Sequence, residues 1–330
     1  MKKILVTGGA GYIGSFMVRE LKSKGFDPVI LDNLSQGHDL AVTGFRLEVI
    51  DLVTQKDKLD EFLLSEKFDG VIHMASFIQM GESYINPQKY YENNVLGFMN
   101  LLDSMKKAGT DKIIISSSAG VYGNPVKLPI LENDLKNPLN PYGETKYIME
   151  RMLEDYDAAY GIKYIGIRYF NAAGAALDGT IGEDHPDESH LIPNIIKKSL
   201  KSEEIEIFGN DYKTPDGTNI RDYIHVLDLT ETHSIAIQKL LDGSESNFYN
   251  AGIGRGYSNK EVIDMIKSVT GMELNIKYSA RRAGDADALY ASIDKIKKDF
   301  VWQPKYGLKE IVESAYLWHK NHPEGYGNMD

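Results

Sequence analysis

Cysteine is missing altogether from this chain of 330 residues, which excludes disulfides, metal thiolates and a thiol nucleophile. Its absence agrees with a reducing cytoplasm, the compartment expected here. Basic residues are in deficit. Against 48 Asp and Glu stand 37 Lys and Arg, a net charge of -11, and no basic patch offsets the excess acid, so nucleic acid is not an expected partner. Long apolar runs are lacking too: none approaches the roughly eighteen residues that span a membrane, so no membrane partner is expected. Residues 1–6 offer only Ile4, Leu5 and Val6 after two lysines, which is too short for a signal segment and reads as a buried first strand. No internal repeat, low-complexity segment or metal site is read. What remains, 42% hydrophobic and 26% charged residues, is the balance of a soluble globular protein.

Short apolar runs alternate with helical patterns through the first half. Strands are expected at 4–6, 28–31, 46–50, 70–73, 112–116 and 163–168, and helices at 13–24, 56–65, 88–108 and 142–160. Such alternation means βαβ units. The expected class is α/β, a Rossmann-type doubly wound parallel sheet with a smaller C-terminal α/β substrate domain. Residues 1–172 are expected to form the first domain, rejoined by about 220–247, and 173–330 the second. Polar loops at 182–189 and 208–219 read as substrate covers, and later helices are expected at 259–270 and 308–320.

Thr7-Gly8-Gly9-Ala10-Gly11-Tyr12-Ile13-Gly14 joins the first strand to the first helix. Its glycines let the turn close and let backbone N–H groups approach a pyrophosphate at the positive end of the helix. The second strand ends in Asp32, eighteen residues after Gly14, where a carboxylate binds adenosine ribose hydroxyls and repels a 2′-phosphate. NAD is therefore expected rather than NADP. The bland alternatives are a turn-capping role for Asp32 before Asn33 and a helix N-cap for Asp51.

Tyr142 and Lys146 stand four residues apart in Pro141-Tyr142-Gly143-Glu144-Thr145-Lys146, on one helix face. A free phenol titrates at about 10, and bringing it near 7 needs roughly 4 kcal/mol, which a neighbouring ammonium helps to supply. Such a base beside a dinucleotide implies hydride transfer at a carbinol carbon. Spacing alone is not distinctive, because Tyr316 and Lys320 repeat it. Only Tyr142 has Ser116-Ser117-Ser118 upstream, and the residues leave open which of Ser117 and Ser118 is its partner.

These motifs, with Tyr91-Glu92-Asn93-Asn94-Val95, Arg168-Tyr169-Phe170-Asn171, Ile207-Phe208-Gly209-Asn210-Asp211-Tyr212, Arg221-Asp222-Tyr223-Ile224-His225-Val226 and Arg281-Arg282-Ala283-Gly284-Asp285, carry a likeness over essentially the whole chain. It resembles the extended short-chain dehydrogenase/reductases and, within them, the UDP-glucose 4-epimerase branch. The resemblance implies NAD-dependent interconversion of UDP-glucose and UDP-galactose by C4 oxidation, rotation of the 4-keto sugar and re-reduction, with a UDP-hexose as partner.

By the same likeness, Gly8, Gly11, Tyr12, Ile13 and Gly14 would hold the pyrophosphate, Asp32 and Asn33 the ribose, and Asp51 and Leu52 the adenine, with Leu34 also on the cofactor. Met74, Ala75, Ser76 and Asn94 would line the far end, with Phe170 under the nicotinamide. Ser118, Tyr142 and Lys146 would be catalytic, Tyr142 as base and Ser118 also on the substrate. Asn171, Leu191, Phe208, Arg221, Arg282 and Asp285 would grip the nucleotide. Leu289 would close the sugar end where a tyrosine goes with unsubstituted hexoses, so N-acetylated substrates are expected as well. Ile78 replaces a lysine common in relatives, and His190 an asparagine. Relatives pair the helices at 88–108 and 142–160 across a two-fold axis, so a homodimer is expected, with Tyr90, Tyr91, Phe98, Met149 and Tyr156 as the extra apolar residues. Three rival readings stand: a dehydratase, against which Ala119-Gly120 lacks the needed carboxylates; a 4-epimerase of other UDP-sugars; and a dinucleotide sensor without chemistry.

Overall fold

Apolar runs without alternation mark the central strands: Ile4, Leu5, Val6, Val71, Ile72, Ile113, Ile114 and Ile115 are all fully buried. Strands that read this way belong to a parallel sheet covered on both faces. The computed structural model describes residues 1–185, 188–281 and 285–327. They fall into two compact units. The first comprises Met1–Asn124, Leu135–Tyr169 and Thr230–Asn250, the second Pro125–Asp134, Phe170–Leu229 and Ala251–Asp330. The expected division at 172 with a return over 220–247 thus compares with a break after Tyr169 and a return at Thr230. The excursion Pro125–Asp134 into the second unit has no counterpart in that expectation.

In the first unit the strands are β1 (Lys3–Thr7), β2 (Asp27–Asp32), β3 (Arg46–Val49), β4 (Gly70–His73), β5 (Lys112–Ser118), β6 (Lys163–Tyr169) and β7 (Asn247–Ala251). The helices are α1 (Tyr12–Ser23), α2 (Lys56–Glu66), α3 (Gly97–Ala108), α4 (Pro141–Tyr160) and, from Thr230 onward, α5 (Val226–Leu241). The sheet order is β7-β6-β5-β4-β1-β2-β3, with β1 to β6 paired in parallel. The order reverses between β1 and β4, which opens a crevice at their carboxyl ends, the usual ligand position in such sheets. Leu5, Val71, Ile113 and Ile115 face a core built with Leu59, Phe62, Leu101, Leu102, Met149 and Leu153 from α2, α3 and α4. On the opposite face Gly70 lies so close to Ile237 of α5 that a Cβ would stand 2.7 Å from its Cδ1.

Where one helix is expected over 88–108, three pieces occur: Pro87–Tyr90, a wide π-helical turn at Tyr91–Leu96, and α3. π-Turns of this kind collect at functional sites, and this one carries Asn94. Of the five residues expected on a dimer face, Tyr90, Phe98 and Met149 are fully buried within their own unit: Phe98 of α3 and Met149 of α4 join the core that covers the sheet, and Tyr90 donates to Gln79 O at 2.7 Å. Tyr156 packs against that core and bonds Asp103 at 2.8 Å. Tyr91 stays 39% exposed, alongside Leu96, Met99 and Tyr160, which the pattern had not singled out.

The second unit has its own core, built from Ile192, Ile195, Ile205, Ile207, Ile263, Ile266, Ile311 and Val312. These come from helices Leu191–Leu200, Asn259–Thr270 and Leu308–Asn321 and the strand Ile205–Phe208. Ser258 and Glu261 start the second of these helices with a reciprocal capping box. The short strand Ile220–Arg221 lies between Tyr257–Ser258 and Ala288–Leu289. No helix among the described residues is long and apolar enough to cross a membrane.

Candidate active site

The glycine turn after β1 is shaped by close approach. Gly8 has φ +72°, and a Cβ there would stand 2.5 Å from Ala75 N; at Gly14 it would stand 2.1 Å from the Gly8 carbonyl oxygen. Gly11 precedes α1 without a side-chain cap, and the first turn of α1 carries no acid. The positive end of the helix thus meets neither a capping side chain nor an acid of its own first turn, which suits an anion. Below the turn, Thr7 Oγ1 and His73 Nδ1 meet at 2.7 Å and tie β1 to β4. Burial holds that imidazole neutral, lowering it to about 3.

A cleft over the turn brings together Gly8, Gly11, Asp32, Asn33, Leu52, Met74, Ala75 and Ser76. Tyr12, Ile13, Gly14, Leu34, Asp51 and Asn94 do not line it. Asp32 combines its two readings: it lies in the cleft and also holds the turn, accepting from Ala10 N at 3.0 Å and Leu34 N at 2.8 Å. Burial raises its pKa against those bonds. Asp51 is not a helix N-cap, since α2 begins only at Lys56 after Gln55. It instead accepts from Val53 N at 2.9 Å, Thr54 N at 2.8 Å and the Asn33 amide at 2.7 Å. Burial raises the Asp51 carboxyl, but these donors hold it below its ordinary value. Its service is to orient Asn33.

Asn94 is buried and fully committed. Its amide donates to Phe77 O and Thr145 Oγ1, both at 3.1 Å, and accepts from Phe77 N and Asn93 Nδ2, both at 2.9 Å. All four amide positions are thereby taken. Asn94 holds the segment after β4 against α4 and so places Ser76.

Tyr142 occupies the first turn of α4, where Asn140 accepts from Gly143 N at 2.8 Å and Pro141 leads the helix. One turn on, Lys146 Nζ stands 5.9 Å from the Tyr142 ring centre. It donates to Ser76 Oγ at 2.7 Å and to the Ser116 carbonyl at 2.8 Å. The structure separates the two serines. Ser117 Oγ donates to Glu150 at 2.6 Å, and Glu150 is clamped by Arg168 at 2.7 and 2.8 Å. Ser118 is the serine that hydrogen-bonds Tyr142, and it also accepts from Gly120 N at 3.0 Å.

The charge balance differs from the expectation that Lys146 lowers the phenol. Burial pushes Tyr142 above its ordinary 10, and the Ser118 hydrogen bond is what opposes the rise. Burial also lowers Lys146 to about 7, against a smaller opposing pull from Glu150. Burial thus disfavours the charged form of both groups. Sequence reasoning passed over Glu150 and Arg168 as positioning residues. The signal was present, because Glu150 continues the i, i+4 row from Tyr142 and Lys146 on the buried face of α4. The other Tyr–Lys pair lies on Leu308–Asn321, with Tyr316 packed against the second core and Lys320 Nζ 5.6 Å from its ring.

In the second unit, Asp285 accepts from Arg221, from Tyr212 Oη at 3.0 Å and from Asn219 Nδ2 at 3.0 Å. Leu289 stands beside Arg221 in parallel register, and Asn171 donates through its amide to Asp222 O at 2.9 Å. Buried Asp222 accepts Ile253 N and Ala291 N at 2.9 and 3.2 Å, though burial still raises it to about 7. One framework therefore carries Asn171, Arg221, Asp285 and Leu289. Phe208 ends a strand paired with Ile276–Ser279, Leu191 opens its helix, and Phe170 follows β6. Arg282 lies outside the described residues. Arg281 is engaged by Asp211 at 2.6 Å.

A model of the NAD dependent epimerase/dehydratase family matches residues 4–252. The UDP-glucose 4-epimerase of Lactobacillus helveticus is 45% identical, over 98% of this chain and 99% of its own. The crystal structure of UDP-glucose 4-epimerase from Brucella ovis in complex with NAD has a TM-score of 0.93 at 42% identity, covering 96% and 98% of the two chains. That of the UDP-Glc/GlcNAc 4-epimerase from Campylobacter jejuni has a TM-score of 0.85 at 38% identity, covering 97% and 100%.

The depressed Lys146 has a measurable consequence. Unfolded, it keeps its proton up to its ordinary 10.5; folded, it releases it near 7. Between those values the unfolded chain binds more protons, so this penalty on folding shrinks as pH rises and is full below about 7. Lys146→Met removes the penalty. In urea denaturation the stability of the variant relative to wild type should be greatest near pH 7 and decline toward pH 10, by at most ~1.4 kcal/mol per pH unit. A difference that is flat across this range would contradict the burial of a titrating ammonium.

Proposed function

The chain belongs to the NAD dependent epimerase/dehydratase family, and from that premise we propose that it interconverts UDP-glucose and UDP-galactose by inverting C4 of the hexose. It is an enzyme, an epimerase that uses NAD. The observation that carries the substrate-level reading is the meeting of Ser118, Tyr142 and Lys146 at the end of β5, next to a turn with no room for side chains at Gly8 and Gly14. Residues of this kind fit a dinucleotide: glycines at a pyrophosphate, uncapped N–H groups on α1, and Asp32 at a ribose.

NAD, when bound, supplies the hydride acceptor and donor and the positive charge of its nicotinamide ring. Tyr142 Oη takes the proton from the sugar's O4 as C4 is oxidised, and returns it when C4 is reduced on its other face. Ser118 Oγ holds the same oxygen through the exchange. Lys146, fixed by Ser76 and Ser116, keeps a donor beside the phenol. Arg221, oriented by Asp285, holds the diphosphate, since a planar guanidinium offers paired donors to phosphate oxygens. Firm grip at the nucleotide and little at the hexose let the 4-keto sugar turn over. A dehydratase would need carboxylates after Ser118, where this chain forms a tight turn with Ala119 and Gly120.

Exposed Tyr91, Leu96, Met99 and Tyr160 support an isologous homodimer through the helical face of the first unit. The lack of cysteine accords with the cytoplasm, where we place the enzyme. Purified protein given UDP-galactose alone should form UDP-glucose without added cofactor. Tyr142→Phe should lower turnover by about 10²–10⁴ while keeping the fold. Near-normal turnover in that variant would remove Tyr142 from the chemistry.

A second substrate class is favoured by Leu289, a half-buried aliphatic residue in register with Arg221. Leucine is shorter than tyrosine and leaves room for an acetamido group at C2, while the chemistry at C4 is unchanged. UDP-N-acetylglucosamine should therefore be epimerised too. Leu289→Tyr should lower kcat/KM selectively for the N-acetylated substrate, because overpacking a filled site is costly. Equal loss on both substrates, or no N-acetyl activity in wild type, would show that position 289 is not the gate.

A further inference from the structure

Four side chains in the acidic stretch ahead of helix Leu191–Leu200 have no part in the chemistry above. Glu183, His185, Glu188 and His190 each point one donor atom into a common space, all within 4.8 Å of one another. Glu183 Oε1 is 2.7 Å from His190 Nδ1 and 3.3 Å from His185 Nδ1. The Glu188 oxygens lie 3.4 Å from His190 Nδ1 and 3.6 Å from His185 Nδ1. The Glu183 and Glu188 side chains are only 4% and 8% exposed.

Despite this crowding, Glu183 Oε1, Glu188 Oε2 and His190 Nδ1 are sealed from solvent and make no hydrogen bond among the described residues. Leaving such atoms unpaired costs roughly 1–3 kcal/mol each, more when charged. Two His–Glu ion pairs would aim ring N–H groups at the carboxylate oxygens. Here Glu183 and His190 come within ion-pair distance at 2.7 Å but outside hydrogen-bond geometry, and one donor atom from each of the four residues is gathered round the same space. Metal–ligand distances of about 2.0–2.2 Å put tetrahedral neighbours roughly 3.3–3.6 Å apart; Glu183 Oε1 to His185 Nδ1 at 3.3 Å and Glu188 Oε1 to His190 Nδ1 at 3.4 Å match that range, and the 2.7 Å approach of Glu183 to His190 would have to open around the ion.

We propose that Glu183, His185, Glu188 and His190 bind a divalent transition-metal ion of the zinc class as a structural ion. Two imidazoles and two carboxylates match its charge and favour it over magnesium or calcium, which prefer all-oxygen shells. Four protein ligands close the shell, as in structural sites. The Glu183 carbonyl accepts from Trp318 Nε1 at 3.0 Å, and Asp184 accepts from Tyr326 N at 3.0 Å. The ion would clamp the entry to helix Leu191–Leu200 onto that C-terminal segment.

The test uses full-length protein stripped with a chelator, dialysed against zinc chloride, then freed of excess metal. One zinc per chain should be retained and the melting temperature should rise. Cobalt(II) in its place should give the intense visible absorption of a tetrahedral site. E183Q and His185→Asn should each weaken zinc binding by at least tenfold, whereas His38→Asn should not. Because the wild-type cobalt spectrum is read without any variant, a misfolded variant does not shield the proposal. Zinc lost on dialysis, an octahedral cobalt spectrum, or unchanged binding in well-folded E183Q would show a quartet of ion pairs only.

Discussion

Burying an amine and a phenol together is the constraint on which this site depends. Lys146 and Tyr142 are both taken out of water at the end of a parallel sheet, where burial penalises the charged form of each. The surroundings supply hydrogen bonds rather than charge: Ser118 to the phenol, Ser76 and the Ser116 carbonyl to the amine. The protein alone therefore favours the uncharged form of each group. On the proposed role of Tyr142, positive charge from the nicotinamide ring of bound NAD would favour the phenolate that burial opposes.

Much of the remaining framework serves to keep that pair in place. Asn140 and Pro141 start α4 so that Tyr142 falls in its first turn. Asn94 spends its whole amide on fastening the segment with Ser76 to α4. Glu150 and Arg168 form a buried ion pair whose desolvation is offset by further bonds to Ser117 and the Tyr122 hydroxyl. With Ser117 drawn to Glu150, the neighbouring Ser118 is left to the other face of β5, toward the phenol. In the second unit Asp285 orients Arg221 through the same economy of one acid and several donors.

The strands were legible wherever burial on both faces leaves an unbroken apolar run, as at Ile4–Val6 and Ile113–Ile115. The glycine turn and the Tyr142–Lys146 row were legible because both are local in sequence. What depended on distant partners was not. Ser117 and Ser118 look alike until Glu150 is seen to take one of them. The π-turn at Tyr91–Leu96 has the apolar spacing of an ordinary helix, and the commitment of Asn94 becomes clear only with Phe77 and Thr145 in view. Tyr90, Phe98 and Met149 were read as surplus surface because periodicity does not say how wide a face the sheet requires. Asp51 stands five residues before Lys56, where the helix it was expected to cap begins.

We propose that Tyr142 becomes a base through charge supplied by the cofactor against an opposing burial. Ultraviolet difference titration of the NAD-loaded protein, wild type minus Tyr142→Phe, measures this directly. One phenol should ionise near neutral pH in wild type and be missing from the variant. If every tyrosine of the loaded enzyme ionises only at about 10 or above, the ordinary range for a phenol, the account is contradicted.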